Sequence, residues 1–331
     1  MEKKEVSVIG GGSWATAIVK MLCNHADQVH WWMRDPDKAN YLNKYLHNPR
    51  YLSSVQFERD KISVSTDLSA VIKASDTIVI ATPSAFLMDV FGNRKNDDLK
   101  DKVIFSAVKG IVPEVHQIPA RFFHKQFGAS YDQIGIISGP CHAEEVALER
   151  LSYLTIACQD ESKAQEFAAL LECRYIKTSV SDDLFGTELS AILKNIYAVA
   201  SGIYHGLSYG DNFQAVLISN AVQEIERFVD AVNPIHRDVK SSAYLGDLLV
   251  TAYSQFSRNR TFGNMVGKGY SVMSAQMEMN MTAEGYYAAK SIIKINEKFE
   301  VDIPIATAVY RILYEKISPA VEMRILADKL T

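Results

Sequence analysis

Segment 189–203 has the spacing of a helix and contains a single charged residue, Lys194. On a helical wheel the large apolar side chains share one face, and Lys194 lies opposite them among small residues such as Ser190 and Ser201. A solvent-facing side would normally carry several charges, so we expect both faces to be covered and the ammonium group to have a partner. A lysine in that setting can exchange a proton with a developing alkoxide. The alternative is an ordinary surface or structural lysine.

Two further charged residues complete a catalytic hypothesis. Asp247 lies inside an apolar run and needs a cation, for which Lys194 is a candidate. Lys109 follows a predicted parallel strand, and ligands of doubly wound sheets bind outside the carboxyl ends of such strands. Lys194 and Asp247 are therefore a candidate ion pair, and Lys109 is well placed to face a ligand.

A glycine-rich turn follows the first predicted strand and opens the first helix. Its sequence, 10–15, fits the dinucleotide-binding pattern G-x-G-x-x-A. Gly10 permits the tight turn, Gly12 lets the backbone approach a pyrophosphate, and Ala15 allows close packing of helix on strand. The helix N-terminus then offers N–H groups to the anion. The order strand, turn, helix, strand makes dinucleotide binding the favoured interpretation over a simple turn.

The residues after the second predicted strand bear on which dinucleotide is bound. Arg34 suits the 2′-phosphate of NADP(H) through bidentate pairing. The adjacent Asp35 could instead accept from the ribose of NAD(H). Arg34 could also be a solvated surface arginine paired with Asp35 or Asp37. We favour NADP(H), and NAD(H) stays open.

Two other segments are candidates for substrate binding. Ser257, Arg258 and Asn259 combine a hydroxyl, a guanidinium and an amide, which suit a phosphate group, although a solvated basic loop would look similar. Segment 138–141 follows a predicted strand, and its backbone N–H groups could face a substrate. Cys141 as a nucleophile is less well supported, because no Cys-His-Asn signature accompanies it.

The elements that must position these groups change character along the chain. Short β-branched runs alternate with helical stretches up to about residue 185, which is typical of buried parallel strands in βαβ units. Long helical patterns then take over. The predicted fold class is an α/β, Rossmann-like, doubly wound N-terminal domain followed by an all-α C-terminal domain. We assign residues 1–185 to dinucleotide binding and residues 186–331 to substrate binding and catalysis.

Composition narrows the function classes further. The chain has 331 residues and 48% hydrophobic residues, which favours two globular domains. Its net charge of −4 lacks the excess of positive charge that is typical of nucleic-acid-binding proteins. No apolar run is long enough for a bilayer span, and no export signal is visible. The four cysteines are far apart, and the eight histidines show no metal-ligand spacing. We expect a cytoplasmic protein without metal and without membrane insertion.

Taken together, these motifs resemble the bacterial-type NAD(P)-dependent glycerol-3-phosphate dehydrogenases. The resemblance covers nearly the whole chain in the family's order, including 10–17, 108–110, 138–140, 188–195, 210–212, 245–248, 257–260, 283–285 and 303–305. It implies the reversible reduction of dihydroxyacetone phosphate to sn-glycerol 3-phosphate, a phospholipid precursor.

The resemblance also implies a role for individual residues. It makes the residue at Lys194 the proton donor and acceptor. On that basis we predict that Asp247 orients its ammonium group, and that Lys109 stabilises the alkoxide and lowers the pKa of Lys194. The implied substrate contacts are Lys109, Gly139, Cys141, Lys194, Asp247, Ser257, Arg258 and Asn259. The implied cofactor contacts, together with Gly10 and Gly12, are Ser13, Trp14, Arg34, Lys109, Ala143, Arg258 and Glu284.

The sequence departs from the family at a few positions. Cys141 stands where serine or threonine is usual, Asn220 replaces a common arginine, and 242–244 differs from the usual sequence before Leu245. These changes bear on substrate affinity more than on reaction type. Two alternatives are a two-domain dehydrogenase acting on a different hydroxy acid or sugar acid, and a dinucleotide-binding redox sensor without chemistry. The sequence leaves a homodimer open.

Overall fold

The structure is a computed structural model that describes residues 3–94, 98–279 and 283–331. The chain divides into two compact units. The first comprises Met1–Thr82, Phe86–Val108 and Pro119–Leu184, and the second comprises Pro83–Ala85, Lys109–Ile118 and Phe185–Thr331. The second unit therefore includes two short segments that precede residue 185. The assignment of residues 1–185 and 186–331 to separate functional domains stays a prediction.

In the described residues, eight strands of the first unit form one sheet with the order β3-β2-β1-β4-β5-β6-β7-β8. The strands are β1 (Glu5–Ile9), β2 (Gln28–Trp32), β3 (Ile62–Ser65), β4 (Thr77–Ile80), β5 (Val103–Ser106), β6 (Ile134–Ser138), β7 (Ser152–Cys158) and β8 (Ile176–Ser181). Neighbouring strands are parallel except β6 and β7, which pair antiparallel. The predicted doubly wound α/β fold is confirmed, and the sheet is mostly parallel with one antiparallel pair.

Helices connect the strands of this sheet, and several begin at a side-chain cap. They are α1 (Ser13–Leu22), α2 (Pro36–Tyr45), α3 (Leu68–Lys73), α4 (Leu87–Phe91), α5 (Pro119–Phe127), α6 (Ala143–Ala147) and α7 (Glu161–Leu171). Asp35, Asp67 and Asp160 accept hydrogen bonds from backbone N–H groups in the first turns of α2, α3 and α7. Such caps satisfy N–H groups that a helix leaves unpaired at its start. In contrast, α1 begins at Gly12 without a side-chain cap.

The second unit is built from helices around its own apolar core. They are α8 (Leu184–Gly206), α9 (Asp211–Val232), α10 (Asp247–Tyr253), α11 (Arg258–Gly267), α12 (Val272–Glu278), α13 (Glu284–Asn296), α14 (Pro304–Tyr314) and α15 (Pro319–Ala327). A π-helical turn, Ser242–Gly246, leads into α10. The predicted all-α character is confirmed for the described residues. No helix among them has both the length and the apolar character needed to cross a membrane.

Candidate active site

Helix α8 carries Lys194 and is covered on both faces. The apolar face, with residues such as Leu193 and Ile196, belongs to the core of the second unit. The opposite face is equally inaccessible, since Ser190 and Ser201 are each only 1% exposed. The expectation that this helix is buried all round is confirmed. Lys194 is itself buried, so its ammonium group depends on protein partners.

Those partners come from α10. Lys194 Nζ donates to Asp247 Oδ1 in a short contact and to Thr251 Oγ1 at 2.9 Å. Asp247 is buried and uses its other oxygen, Oδ2, to accept from Lys109 Nζ at 3.3 Å. The Thr251 hydroxyl donates to the Asp247 carbonyl at 2.6 Å, so its oxygen is turned toward the lysine. Lys194, Asp247 and Lys109 therefore lie together, as the sequence predicts. We call these three residues and Thr251 the amine cluster.

Hydrogen bonds from side chains to backbone carbonyl groups fix the relative positions of the segments that carry the amine cluster. Ser201 Oγ, two turns along α8 from Lys194, donates to the carbonyl of Ala252 at 2.9 Å. Asn195 Nδ2 donates to the carbonyl of Lys109 at 2.7 Å. These bonds fix α8 relative to α10 and to the segment that carries Lys109. The positions of the two amines around one carboxylate therefore follow from bonds made by neighbouring residues.

The pKa values of Lys194 and Asp247 are both lowered in the amine cluster, but for different reasons. Burial lowers the pKa of Lys194 to about 7, because desolvation and the charge of Lys109 outweigh the attraction of Asp247. Burial acts to raise the pKa of Asp247, but the charges of Lys109 and Lys194 outweigh it and hold that pKa below its ordinary value. Two cations thus share one ionised carboxylate. Near neutral pH Lys194 can give up a proton and take it back, as a general acid–base must.

A second group of predicted residues lies at the starts of α11 and α13. Ser257 caps α11 by accepting from the N–H of Arg260 at 3.3 Å. Asn259 Oδ1 accepts from the N–H of Gly285 at 2.9 Å, and Asn259 Nδ2 donates to Asn195 Oδ1 at 2.9 Å. Through Asn195 this amide chain reaches the backbone of Lys109. Arg258 is the first residue of α11 and lies between Ser257 and Asn259 in the sequence.

Glu284 has a partner that the sequence did not predict. Its carboxylate accepts from the N–H of Ser84 at 3.1 Å and from Ser84 Oγ at 2.5 Å. Desolvation raises the pKa of Glu284, while the bonds from Ser84 and the charge of Arg258 act against that rise. The carboxylate is therefore held in one orientation at the start of α13.

The glycine turn of the first unit fits a dinucleotide. Gly10 has a φ of +141°, and a Cβ atom there would lie 2.5 Å from the carbonyl oxygen of Ala81, so only glycine fits. At Gly12 there is open space where a side chain would be. Ser13 and Trp14 then begin α1, and the N-cap residue Gly12 places no side chain over this helix N-terminus, so an anion could approach it. These residues could hold a pyrophosphate.

The remaining predicted residues of the first unit lie at the carboxyl ends of strands. Arg34 follows β2, and its guanidinium group lies 5.1 Å from the centre of the Phe86 ring. Gly139 follows β6 with a φ of +107°, Cys141 is buried, and Ala143 is the first residue of α6. Their contacts with substrate or cofactor stay predictions.

Three residues that the sequence patterns do not indicate form hydrogen bonds with the predicted ones. Thr251 lies four residues after Asp247 and therefore on the same helix face, a spacing that could have identified it. Asn195 adjoins Lys194, but its bonds to Lys109 and Asn259 join segments far apart in sequence. Ser84 lies 200 residues before Glu284, and no local pattern predicts that contact.

Comparison with known protein families shows which family the chain belongs to. Residues 5–164 match the model for the N-terminus of NAD-dependent glycerol-3-phosphate dehydrogenase, and residues 183–324 match the model for its C-terminus. The chain belongs to the NAD-dependent glycerol-3-phosphate dehydrogenase family. The resemblance predicted from the motifs is thereby confirmed, and the protein is an oxidoreductase that uses NAD or NADP.

Individual members of the glycerol-3-phosphate dehydrogenase family match along almost the full chain. A protein of Staphylococcus carnosus named glycerol-3-phosphate dehydrogenase [NAD(P)+] is 32% identical over 326 residues, covering 98% of each chain. The protein of that name from Staphylococcus aureus strain JH9 is 34% identical over 316 residues, covering 95% of each chain. The crystal structure of glycerol-3-phosphate dehydrogenase from Coxiella burnetii superposes with a TM-score of 0.89 at 27% identity, covering 98% of each chain.

Proposed function

We propose that this protein catalyses the reversible reduction of dihydroxyacetone phosphate to sn-glycerol 3-phosphate, with Lys194 as the proton donor and acceptor. The observation that carries the mechanism is the amine cluster, in which a buried lysine with a pKa near 7 shares one carboxylate with a second cation. Membership of the glycerol-3-phosphate dehydrogenase family supports the reaction.

When bound, the reduced nicotinamide supplies the hydride that becomes the new C–H bond at the central carbon of the substrate. Lys194 gives its proton to the carbonyl oxygen as negative charge develops there, which completes the alcohol. Asp247 and Thr251 hold the ammonium group in place. Lys109 is a second cation that stabilises the developing alkoxide. In the oxidation direction the neutral amine of Lys194 takes the hydroxyl proton back.

Further residues of the chain are proposed to bind the substrate. Arg258 would pair with the phosphate ester, and Ser257 and Asn259 would add polar contacts. The Asn259 amide still has a second N–H and a second lone pair beyond its two protein bonds. Gly139 and Cys141 are proposed to contribute contacts from the loop after β6, where the thiol would be a weaker partner than a hydroxyl.

We further propose that NADP(H) is preferred over NAD(H). Asp35, the residue that could favour NAD(H), is occupied as the N-cap of α2 and as the partner of Lys38 Nζ at 2.6 Å. Arg34 would then be the residue that recognises a 2′-phosphate. Arg34→Ser is expected to raise the KM for NADPH about tenfold while leaving the KM for NADH nearly unchanged. Steady-state kinetics with both dinucleotides measures this, and equal effects on both would contradict it.

The cellular setting is proposed from the reaction and the composition. The product would supply the glycerol backbone of phospholipids, and we propose a cytoplasmic protein without nucleic-acid partners. Its four cysteines, all among the described residues, are thiols and form no disulfide, in keeping with a reducing compartment. A homodimer is also compatible with this proposal. Light scattering after size-exclusion chromatography would report the oligomeric state.

The decisive experiment is an assay of reduced-nicotinamide absorbance. Adding dihydroxyacetone phosphate to the protein and NADPH is expected to deplete the absorbance, whereas dihydroxyacetone without the phosphate is expected to react poorly. Equal rates with and without the phosphate would favour a dehydrogenase of another specificity. Tight dinucleotide binding with no turnover on any phosphorylated ketone would favour a redox sensor.

A further inference from the structure

The carbonyl groups of the glycine turn are all occupied by donors from the first unit. Gly10 O accepts from the indole N–H of Trp31 at 2.6 Å. Gly11 O accepts from Asn48 Nδ2 at 3.3 Å. Gly12 O accepts from the backbone N–H and the hydroxyl of Thr16 at 3.0 and 2.9 Å. Three consecutive peptide oxygens are therefore held toward the protein.

Asn48 differs from the other donors because both polar atoms of its side chain form two hydrogen bonds each. It is fully buried although it lies in the loop after α2, and buried asparagines require satisfied polar atoms. Its Nδ2 also donates to Thr16 Oγ1 at 2.9 Å. Its Oδ1 accepts from the N–H groups of Arg50 and Tyr51 at 3.0 and 3.1 Å. Backbone N–H groups can only donate, so the amide orientation is fixed and Nδ2 must face the turn.

The fixed carbonyls determine where the opposite ends of the peptides point. In a planar trans peptide the C=O of one residue and the N–H of the next face opposite directions. Holding Gly10 O and Gly11 O toward buried donors therefore turns the N–H groups of Gly11 and Gly12 the other way. Gly11 and Gly12 are half-buried, so part of the turn is accessible to solvent. Convergent backbone N–H groups of this kind form anion sites.

We propose that Asn48 is a positioning residue for dinucleotide binding, which holds the Gly11 peptide so that the turn presents its N–H groups to the pyrophosphate. The inference rests on dinucleotide binding by this turn. Asn48 would act through the backbone and would touch neither the substrate nor the adenosine phosphate that Arg34 is proposed to recognise. Its effect should therefore be the same for NADH and NADPH, since both carry the pyrophosphate.

Two variants test this proposal. Asn48→Asp keeps an acceptor for the Arg50 and Tyr51 amides but removes the donor to Gly11 O. Asn48→Leu is neutral and removes both, which separates loss of the donor from the new charge of aspartate. Ser75→Ala is the matched control, because Ser75 is a buried polar residue of the same unit whose hydroxyl bonds to Ser7 and Thr77.

Both Asn48 variants are expected to raise the KM for NADH and for NADPH by about tenfold each, as loss of one orienting hydrogen bond implies. The KM for dihydroxyacetone phosphate and kcat at saturating dinucleotide should change less than about twofold, and Ser75→Ala should change none of these. The proposal would be overturned if the KM values for both dinucleotides were unchanged. It would also be overturned if kcat and the KM for dihydroxyacetone phosphate worsened as much as the KM for the dinucleotides. Failure of both variants to fold would also overturn it, by assigning Asn48 to the fold. A wild-type protein that binds no dinucleotide would instead refute the proposed function.

Discussion

Helix α8 contributes to two buried ionisable clusters less than one turn apart, and they differ in what they can do. The first is the amine cluster around Lys194. The second joins Tyr197 to Glu224 of α9 and to the start of α14. In the second cluster Glu224 accepts from the Tyr197 hydroxyl at 3.2 Å and from the N–H groups of Ile305 and Ala306 at 2.8 and 3.0 Å. Lys194 and Asp247 of the first cluster, and Tyr197 and Glu224 of the second, are buried in the second unit.

Burial shifts the pKa of an ionisable group in both clusters. It raises the pKa of Glu224 to about 7, although the N–H groups of α14 and the Tyr197 hydroxyl act against the rise. It lowers the pKa of Lys194 to the same range. A perturbed pKa therefore does not by itself identify a catalytic residue, because structural groups are perturbed as well.

The difference lies in charge and in hydrogen bonding. Glu224 caps the first turn of α14, so its oxygens are committed to helix N–H groups and a phenol. The amine cluster has two cations for one carboxylate, and Lys109 is partly exposed, with 18% of its side chain accessible. An excess of positive charge suits a developing alkoxide. We infer that the first cluster is catalytic and that the second stabilises the fold.

The largest effect is expected from removing the amine. Lys194→Ala should lower kcat by about 10²–10⁴-fold, because the general acid–base is lost. Dinucleotide affinity should stay nearly unchanged, since the glycine turn belongs to the other unit. Stopped-flow absorbance and fluorescence titration measure the two quantities.

Tyr197→Phe is the matched control for that variant, because it removes one polar group from the second cluster on the same helix. It should destabilise the protein by about 1 kcal/mol and leave kcat within about twofold. If both variants lowered kcat equally, the distinction between the two clusters would be lost.

A smaller effect is expected at Lys109. Lys109→Gln removes a cation that lowers the pKa of Lys194, so that pKa should rise. The pH at which reduction slows should move up by about one unit, and the rate should fall by about 10²-fold as alkoxide stabilisation is lost. The pH dependence of kcat measures this. A rate loss with no movement of the pH profile would restrict Lys109 to substrate binding.

The smallest effect concerns Glu224 and stability. Its pKa in the folded protein, about 7, exceeds its ordinary value of 4.5, so its stabilising contribution is present at low pH and is lost as pH rises through about 7. Glu224→Gln removes this titration. The free energy of unfolding of wild type relative to the variant should therefore decrease by about 1–3 kcal/mol between pH 5 and pH 8. Urea unfolding at both pH values measures it, and a constant difference would show that Glu224 does not titrate.

Much of the fold could be predicted because its signals are local. The β-branched runs at residues 77–81 and 103–106, for example, correspond to β4 and β5. The single charge of segment 189–203 correctly indicated a helix covered on both faces. The antiparallel pairing of β7 with β6 could not be predicted, because a strand has the same apolar pattern in either direction.

The residues of the candidate site could be predicted where a single charge lies in an apolar segment. They could not be predicted where neutral side chains form hydrogen bonds to residues far away in the sequence. Lys194 and Asp247 were unusual for their surroundings, so each required a partner. Asn195 and Asn48 are ordinary polar residues in sequence, and their importance depends on tertiary bonds to Lys109 and Gly11. Such bonds leave no periodic pattern.

The most direct test of proton exchange by Lys194 is the single-turnover rate of hydride transfer in both directions as a function of pH. If Lys194 exchanges the proton, reduction, which needs the ammonium form, should slow as pH rises through about 7. Oxidation, which needs the neutral amine, should accelerate over the same range. Rates that change in the same direction with pH, or do not change, would contradict the role of Lys194.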